Sequence, residues 1–122
     1  MSTTISGTNG VTFPDSTSMQ TGQQACKAWV NFNGTGTVAI RSSYNVSSIA
    51  DNGAGDYTVN FTAAMSDANY AVTGSAEFTP TVTALSVLTV RTYNASNIRI
   101  DTSNSASGAK TDPTFVNVAI FR

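Results

Sequence analysis

From Lys27 onward, apolar side chains fall at every second position, in short runs broken by turn residues. A period of two marks a strand with one packed face and one wet face. In KAWVNFN, residues Ala28, Val30 and Phe32 share one face, opposite Lys27, Trp29, Asn31 and Asn33. Gly34-Thr35-Gly36 then turns the chain. In TVAIRSSYNV, read as one strand, Val38, Ile40, Tyr44 and Val46 face inward. The cluster DNGAGD, 51–56, is a hairpin turn, and Tyr57, Val59 and Phe61 follow it inward. Tyr70, Val72, Gly74, Ala76 and Phe78 alternate next; SVLTVRTY, a turn at 93–97 and NIRIDT come after them. SNSASGAKTDP is a polar loop, and TFVNVAIFR closes the chain. No stretch has sustained helical periodicity. The expectation is an all-β fold, an antiparallel β-sandwich of about seven strands spanning 27–122.

Residues 1–26 break the pattern. Ile5, Val11, Phe13 and Met19 are isolated in a polar segment, with turn signals at Thr8-Asn9-Gly10 and Pro14-Asp15. Such a segment cannot bury itself. We read it as an extended arm, either flexible or lying against something else, such as sister chains or another protein.

Two features ask for a second surface. The run 85–90 carries Leu85, Val87, Leu88 and Val90, and the last strand is apolar on both faces: Phe115, Ala119 and Phe121 against Val116, Val118 and Ile120. A strand apolar on both sides needs a partner on each. Trp29 also sits on the polar side of its strand. Either a covering segment, a loop or the arm, shields it, or it marks a subunit contact. Trp29, Phe115 and Phe121 are the candidate interface residues.

Charge narrows the function classes. Charged residues make up 11% of the chain and the net charge is −1, against a usual charged share of about 25%. The six basic residues are scattered, so no nucleic-acid footprint is expected. No apolar run reaches membrane-span length, and MSTTISGTNG lacks the features of a signal peptide. The expected place of synthesis is therefore a cytoplasm. Histidine is absent, which removes His-based triads and His metal sites. Cys26 is the only cysteine and reads as a small buried or half-buried thiol without a disulfide. Asp51 and Asp56 flank a turn instead of forming a catalytic pair, and DNGAGD lacks the ligand set of a calcium loop. The Asn-x-Ser/Thr tripeptides at Asn33, Asn45, Asn60 and Asn94 are what an Asn- and Thr-rich chain contains by chance. No enzymatic activity, cofactor or metal is expected.

The run KAWVNFNGTGTVAIRSSYNVSSIADNGAGDYTVNFTAAMSDANYAV closely resembles a module of tail-fibre and other virion proteins of tailed bacteriophages. ISGTNGVTFPDSTSMQT is similar to the linker that precedes such modules, and the second half follows the outline of the H-type-lectin-like sandwich at fibre tips. The resemblance implies a homotrimeric β-rich virion component on the particle surface that binds a bacterial surface glycan or protein. The arm would dock on another virion protein. Fibres of this kind usually carry a long N-terminal shaft, so a capsid decoration protein or a head fibre stands as the alternative, and a cellular lectin-like module as a more distant one. The resemblance brings no binding motif of its own. Uncharged polar loops with aromatic and amide groups suit carbohydrate, so Arg91, Tyr93, Asn94 and Asn97, around one loop, are the candidate receptor-binding residues.

Overall fold

A computed structural model of the chain describes residues 2–7, 10–16, 18–19, 26–78 and 86–122. Among these residues every regular element is a strand and every strand pairing is antiparallel. The all-β, antiparallel part of the expectation is therefore present. The arm is more regular than its composition suggests: β1 (Thr4–Ser6), β2 (Gly10–Thr12) and β3 (Ser18–Met19) form a small sheet of their own. The turn expected at Pro14-Asp15 is there, closed by Ser16 N–H donating to Phe13 O at 3.0 Å. The turn read at Thr8-Asn9 falls outside the described residues, as does Leu85.

Eight further strands make two four-stranded sheets. One has the order β5 (Ala39–Tyr44), β4 (Cys26–Asn33), β11 (Phe115–Phe121), β8 (Ala71–Glu77). The other has the order β6 (Val46–Gly53), β7 (Asp56–Phe61), β10 (Asn97–Asn104), β9 (Ser86–Tyr93). Both feed one core. Ala28, Val30, Phe32, Val116, Val118 and Ile120 come from the first sheet, and Tyr57, Val59, Phe61, Ile98 and Ile100 from the second. Full burial of a side chain of this size stabilises by about 1.5–3 kcal/mol. Phe32 meets Tyr57 edge to face at 5.2 Å. The Tyr57 hydroxyl donates to Asp112 Oδ1 at 2.8 Å, which pins the 105–114 loop over the end of the core.

The segment 37–46 departs from the single strand read from its sequence. It is two strands, one in each sheet, joined at Asn45, whose φ is +54°. An Asn tolerates this left-handed corner because its short amide bonds locally. Asn45 Nδ2 donates to Lys27 O (3.1 Å) and Ala63 O (3.0 Å), and Asn45 Oδ1 accepts from Ala63 N–H (2.7 Å).

Tyr44 does not face inward, and Ile40, although it pairs with Phe32 on the core side, is itself 37% exposed on this edge strand. Phe32 pairs with Ile40, but Asn31 pairs with Ser42, so Arg41 is an extra residue in β5. This β-bulge shifts the parity of the strand and turns Tyr44 outward, beside Trp29.

Candidate functional site

The outer face of the β5–β4–β11–β8 sheet gathers the residues whose alternation put them on the wrong side for a core. Trp29 lies between Tyr44 and Ala119, and Ala119 pairs with Thr73. One step along, Asn31 lies between Ser42 and Asn117, and Asn117 pairs with Ser75. Phe115 pairs with Glu77 and Phe121 with Ala71. Trp29, Phe115 and Phe121 are 38%, 40% and 39% exposed, and Tyr44 57%. The three interface candidates therefore share one face of one sheet, although 86 residues separate Trp29 from Phe115.

A polar rung crosses this aromatic surface. Arg41 Nη1 lies 3.5 Å from Asn31 Oδ1. Asn31 Nδ2 donates to Asn117 Oδ1, and Asn117 Nδ2 donates to Ser75 Oγ at 3.3 Å. Each amide retains further lone pairs and protons for an outside partner. Arg41 also stacks over Phe115, 4.0 Å from the ring centre, and donates to Thr114 O at 2.7 Å. Between Trp29 and Ser75 the face sinks into a shallow groove of about 420 Å³ lined by no charged side chain. It offers apolar area and neutral hydrogen-bonding groups.

The receptor-binding candidates lie on the other sheet, at the β9–β10 hairpin. The structure brings them together and engages them with their own neighbours. Asn94 N–H donates to Asn97 O (3.0 Å), and Asn94 Nδ2 donates to Asn97 Oδ1 (2.9 Å), closing the turn. The Tyr93 ring packs on Tyr70 at 5.5 Å. Arg91 lies 3.5 Å from Asp56 Oδ2 and 3.4 Å from Asp101 Oδ2.

That ion cluster is the main electrostatic feature of the second sheet. Asp56, 7% exposed, accepts two bonds from Arg99 (2.8 and 2.7 Å) and lies 3.3 Å from Lys110. The Arg99 guanidinium, helped by Asn52 and Lys110 against the cost of burial, holds the Asp56 carboxyl far below the usual carboxylate range. The cluster ties the first residue of β7 to β9, β10 and the 105–114 loop. Among the described residues no group of His, Cys, Asp and Glu side chains could hold a metal ion.

Reading the sequence by strand missed the amide rung and Tyr44. Asn31 and Asn117 each looked like an ordinary wet-face residue, and only the pairing of β4 with β11 joins them. No known protein family, curated protein or solved structure matches the chain.

Proposed function

We propose that this chain is a structural protein of a bacteriophage particle, a fibre-tip β-sandwich module that works as a homotrimer in attachment to the host. The observation that carries the reading is the outer face of the β5–β4–β11–β8 sheet. Trp29, Phe115 and Phe121 stand exposed there around a neutral amide rung. A surface of this kind is stable in water when something covers it, and identical neighbours are the covering in this reading. The resemblance of the run 27–72 to virion modules supports the same assignment. Three copies also multiply weak contacts with a bacterial surface without any new contact. The arm fits attachment to another virion protein, since Ile5 is 82% exposed on its small sheet.

Light scattering on the purified chain at micromolar concentration tests the assembly. The expected mass is that of three chains, and Trp29→Asp together with Phe121→Asp shifts it to one. A stable single chain, with Trp29 as exposed as here, refutes the trimer. Adsorption tests the role: the purified chain is expected to compete with particles for host cells, and normal infection by particles lacking it refutes attachment. Copy number separates fibre from shell, because a few trimers per particle belong to a tail tip and many to a capsid decoration.

A further inference from the structure

Another cavity lies at the corner where β4 begins, β5 ends and the 62–66 segment crosses between sheets. It encloses about 590 Å³ and is lined by Lys27, Tyr44, Asn45, Thr62, Met65 and Ser66, among others. We infer that this cavity binds one acidic saccharide unit, its carboxylate paired with Lys27 and its ring set against Tyr44.

Charge is the starting point. Of the six basic residues, Arg91, Arg99, Lys110 and Arg122 are in ion pairs, and Arg41 is spent on Phe115 and Thr114 O. Lys27 alone, among the described residues, has neither an ion pair nor a side-chain hydrogen bond. Its position is not that of an ordinary strand residue. Ala28 pairs with Ile120 and Cys26 with Phe121, so Lys27 is the extra residue of a β-bulge. Bulges re-aim side chains and recur beside binding sites.

The other polar groups of the cavity match a polyol. The hydroxyls of Tyr44, Thr62 and Ser66 have no hydrogen-bond partner among the described residues. Each can donate and accept, as sugar hydroxyls do. Tyr44, on the edge strand β5 and outside the Trp29, Phe115 and Phe121 set that neighbours are proposed to cover, gives an exposed aromatic face for a sugar ring, and Met65 gives apolar floor. A lone inorganic anion would leave most of the volume unfilled and would ask for several cations or a cradle of backbone N–H groups. The volume lies within the range of small-molecule sites, about 300–1,000 Å³.

The walls are fixed in advance, which lowers the cost of binding. The Asn45 carboxamide bonds Lys27 O and both backbone groups of Ala63, and Met65 N–H donates to Ala95 O at 2.8 Å. Arg122 is held on Asp67 at 2.7 and 3.1 Å, which neutralises it and leaves Lys27 as the free charge. The inference deepens the attachment reading and rests on it for its biological role, while its chemistry rests on the cavity alone.

The test is a titration of the purified chain followed by amide resonances. The probes are glucuronic acid, N-acetylneuraminic acid, neutral N-acetylglucosamine, acetate and inorganic phosphate, and the mass of the assembly is read on the same sample. An acidic sugar is expected to shift Lys27, Tyr44 and residues 62–66 saturably, more weakly as salt rises. Lys27→Gln is expected to weaken it about tenfold or more, and Tyr44→Ala by about tenfold, while Lys27→Arg retains binding. Among the described residues the Lys27 side chain makes no ion pair or hydrogen bond, and the amide spectrum of each variant checks that its fold is kept. Equal binding of neutral and acidic sugars, or of acetate or phosphate and the acidic sugars, overturns the inference. So do shifts confined to other residues, no binding, or an unchanged Lys27→Gln. Loss of sugar binding with the trimer mass intact counts against the cavity only; sugar binding by a single chain counts against the trimer only.

Discussion

Gly36 and Gly55 have nearly the same backbone conformation, with φ at +61° and +60°, in different surroundings. A Cβ at position 36 meets nothing within 4 Å. At position 55 it would lie 2.3 Å from Thr102 O and 2.7 Å from Thr111 N. Ala in place of Gly36 incurs the left-handed penalty alone, partly offset by a stiffer unfolded chain, about 1 kcal/mol in net. Ala in place of Gly55 incurs the same term and must also push the backbone of the 102–111 bridge away. Three hydrogen bonds depend on that spacing: Thr102 N–H to Gly55 O at 2.9 Å, Gly55 N–H to Asp112 Oδ1 at 2.7 Å, and Thr111 N–H to Thr102 O at 3.2 Å. At about 1 kcal/mol each, their loss brings the total for Gly55→Ala to about 4 kcal/mol. That is a large part of a typical domain's stability, about 5–15 kcal/mol. Urea unfolding at one fixed protein concentration, followed by Trp29 fluorescence, measures both variants. With a slope of about 2 kcal/mol per molar urea, Gly55→Ala lowers the midpoint by about 2 M and Gly36→Ala by about 0.5 M. Equal midpoints for the two variants refute the claim that the closed packing around Gly55, and not its φ, sets the cost.

Two further outcomes follow from side chains already described. Asp56→Asn removes the shared carboxylate of Arg99, Arg91 and Lys110; with those cations well solvated, the expected loss at neutral pH is roughly 5–10 °C in Tm. Because folding depresses the Asp56 carboxyl, its contribution is complete above the ordinary carboxylate range, about pH 4, and fades as pH falls from there toward the folded value. The gap between parent and variant in thermal melts therefore narrows in acid, and a gap that stays constant down to pH 2 contradicts the assignment. Asn45→Ala loses the three carboxamide bonds and strains the +54° corner, for about 4 kcal/mol; Asn45→Gly keeps the corner relaxed and loses about 1 kcal/mol less, which chemical unfolding resolves.

The core was legible because its information is local. Ala28, Val30 and Phe32, then Tyr57, Val59 and Phe61, each announce their buried face within a few residues, and each is buried; the last strand, apolar on both faces, buries Val116, Val118 and Ile120. What depended on non-local pairing was not legible. Nothing near Tyr44 signals that Arg41 is an extra residue, since that follows from how β5 aligns on β4. Nothing near Asn31 signals Asn117. Trp29, Phe115 and Phe121 were each visible as apolar residues on the wet side, but their common face requires β4 and β11 to be neighbours. The short strands of the arm were hidden because two or three paired residues make no detectable period.

The bulges also bear on how a chain with an exposed apolar sheet face avoids uncontrolled association. Arg41 in β5, Arg91 in β9, and Ser47 and Asn52 in β6 are extra residues in strands at sheet edges. A straight edge offers a row of free backbone groups to any passing strand, and a bulge carrying a charge disrupts that row. Both Arg side chains are then held on their own sheets, Arg41 over Phe115 and Arg91 beside Asp56 and Asp101. Of the four edges of the two large sheets only β8 pairs without a bulge, and it ends at Glu77. With the other three interrupted, growth of these sheets by adding strands is disfavoured. The apolar area left open lies on a sheet face, where contact depends on side-chain fit and a closed assembly can form without an open-ended one.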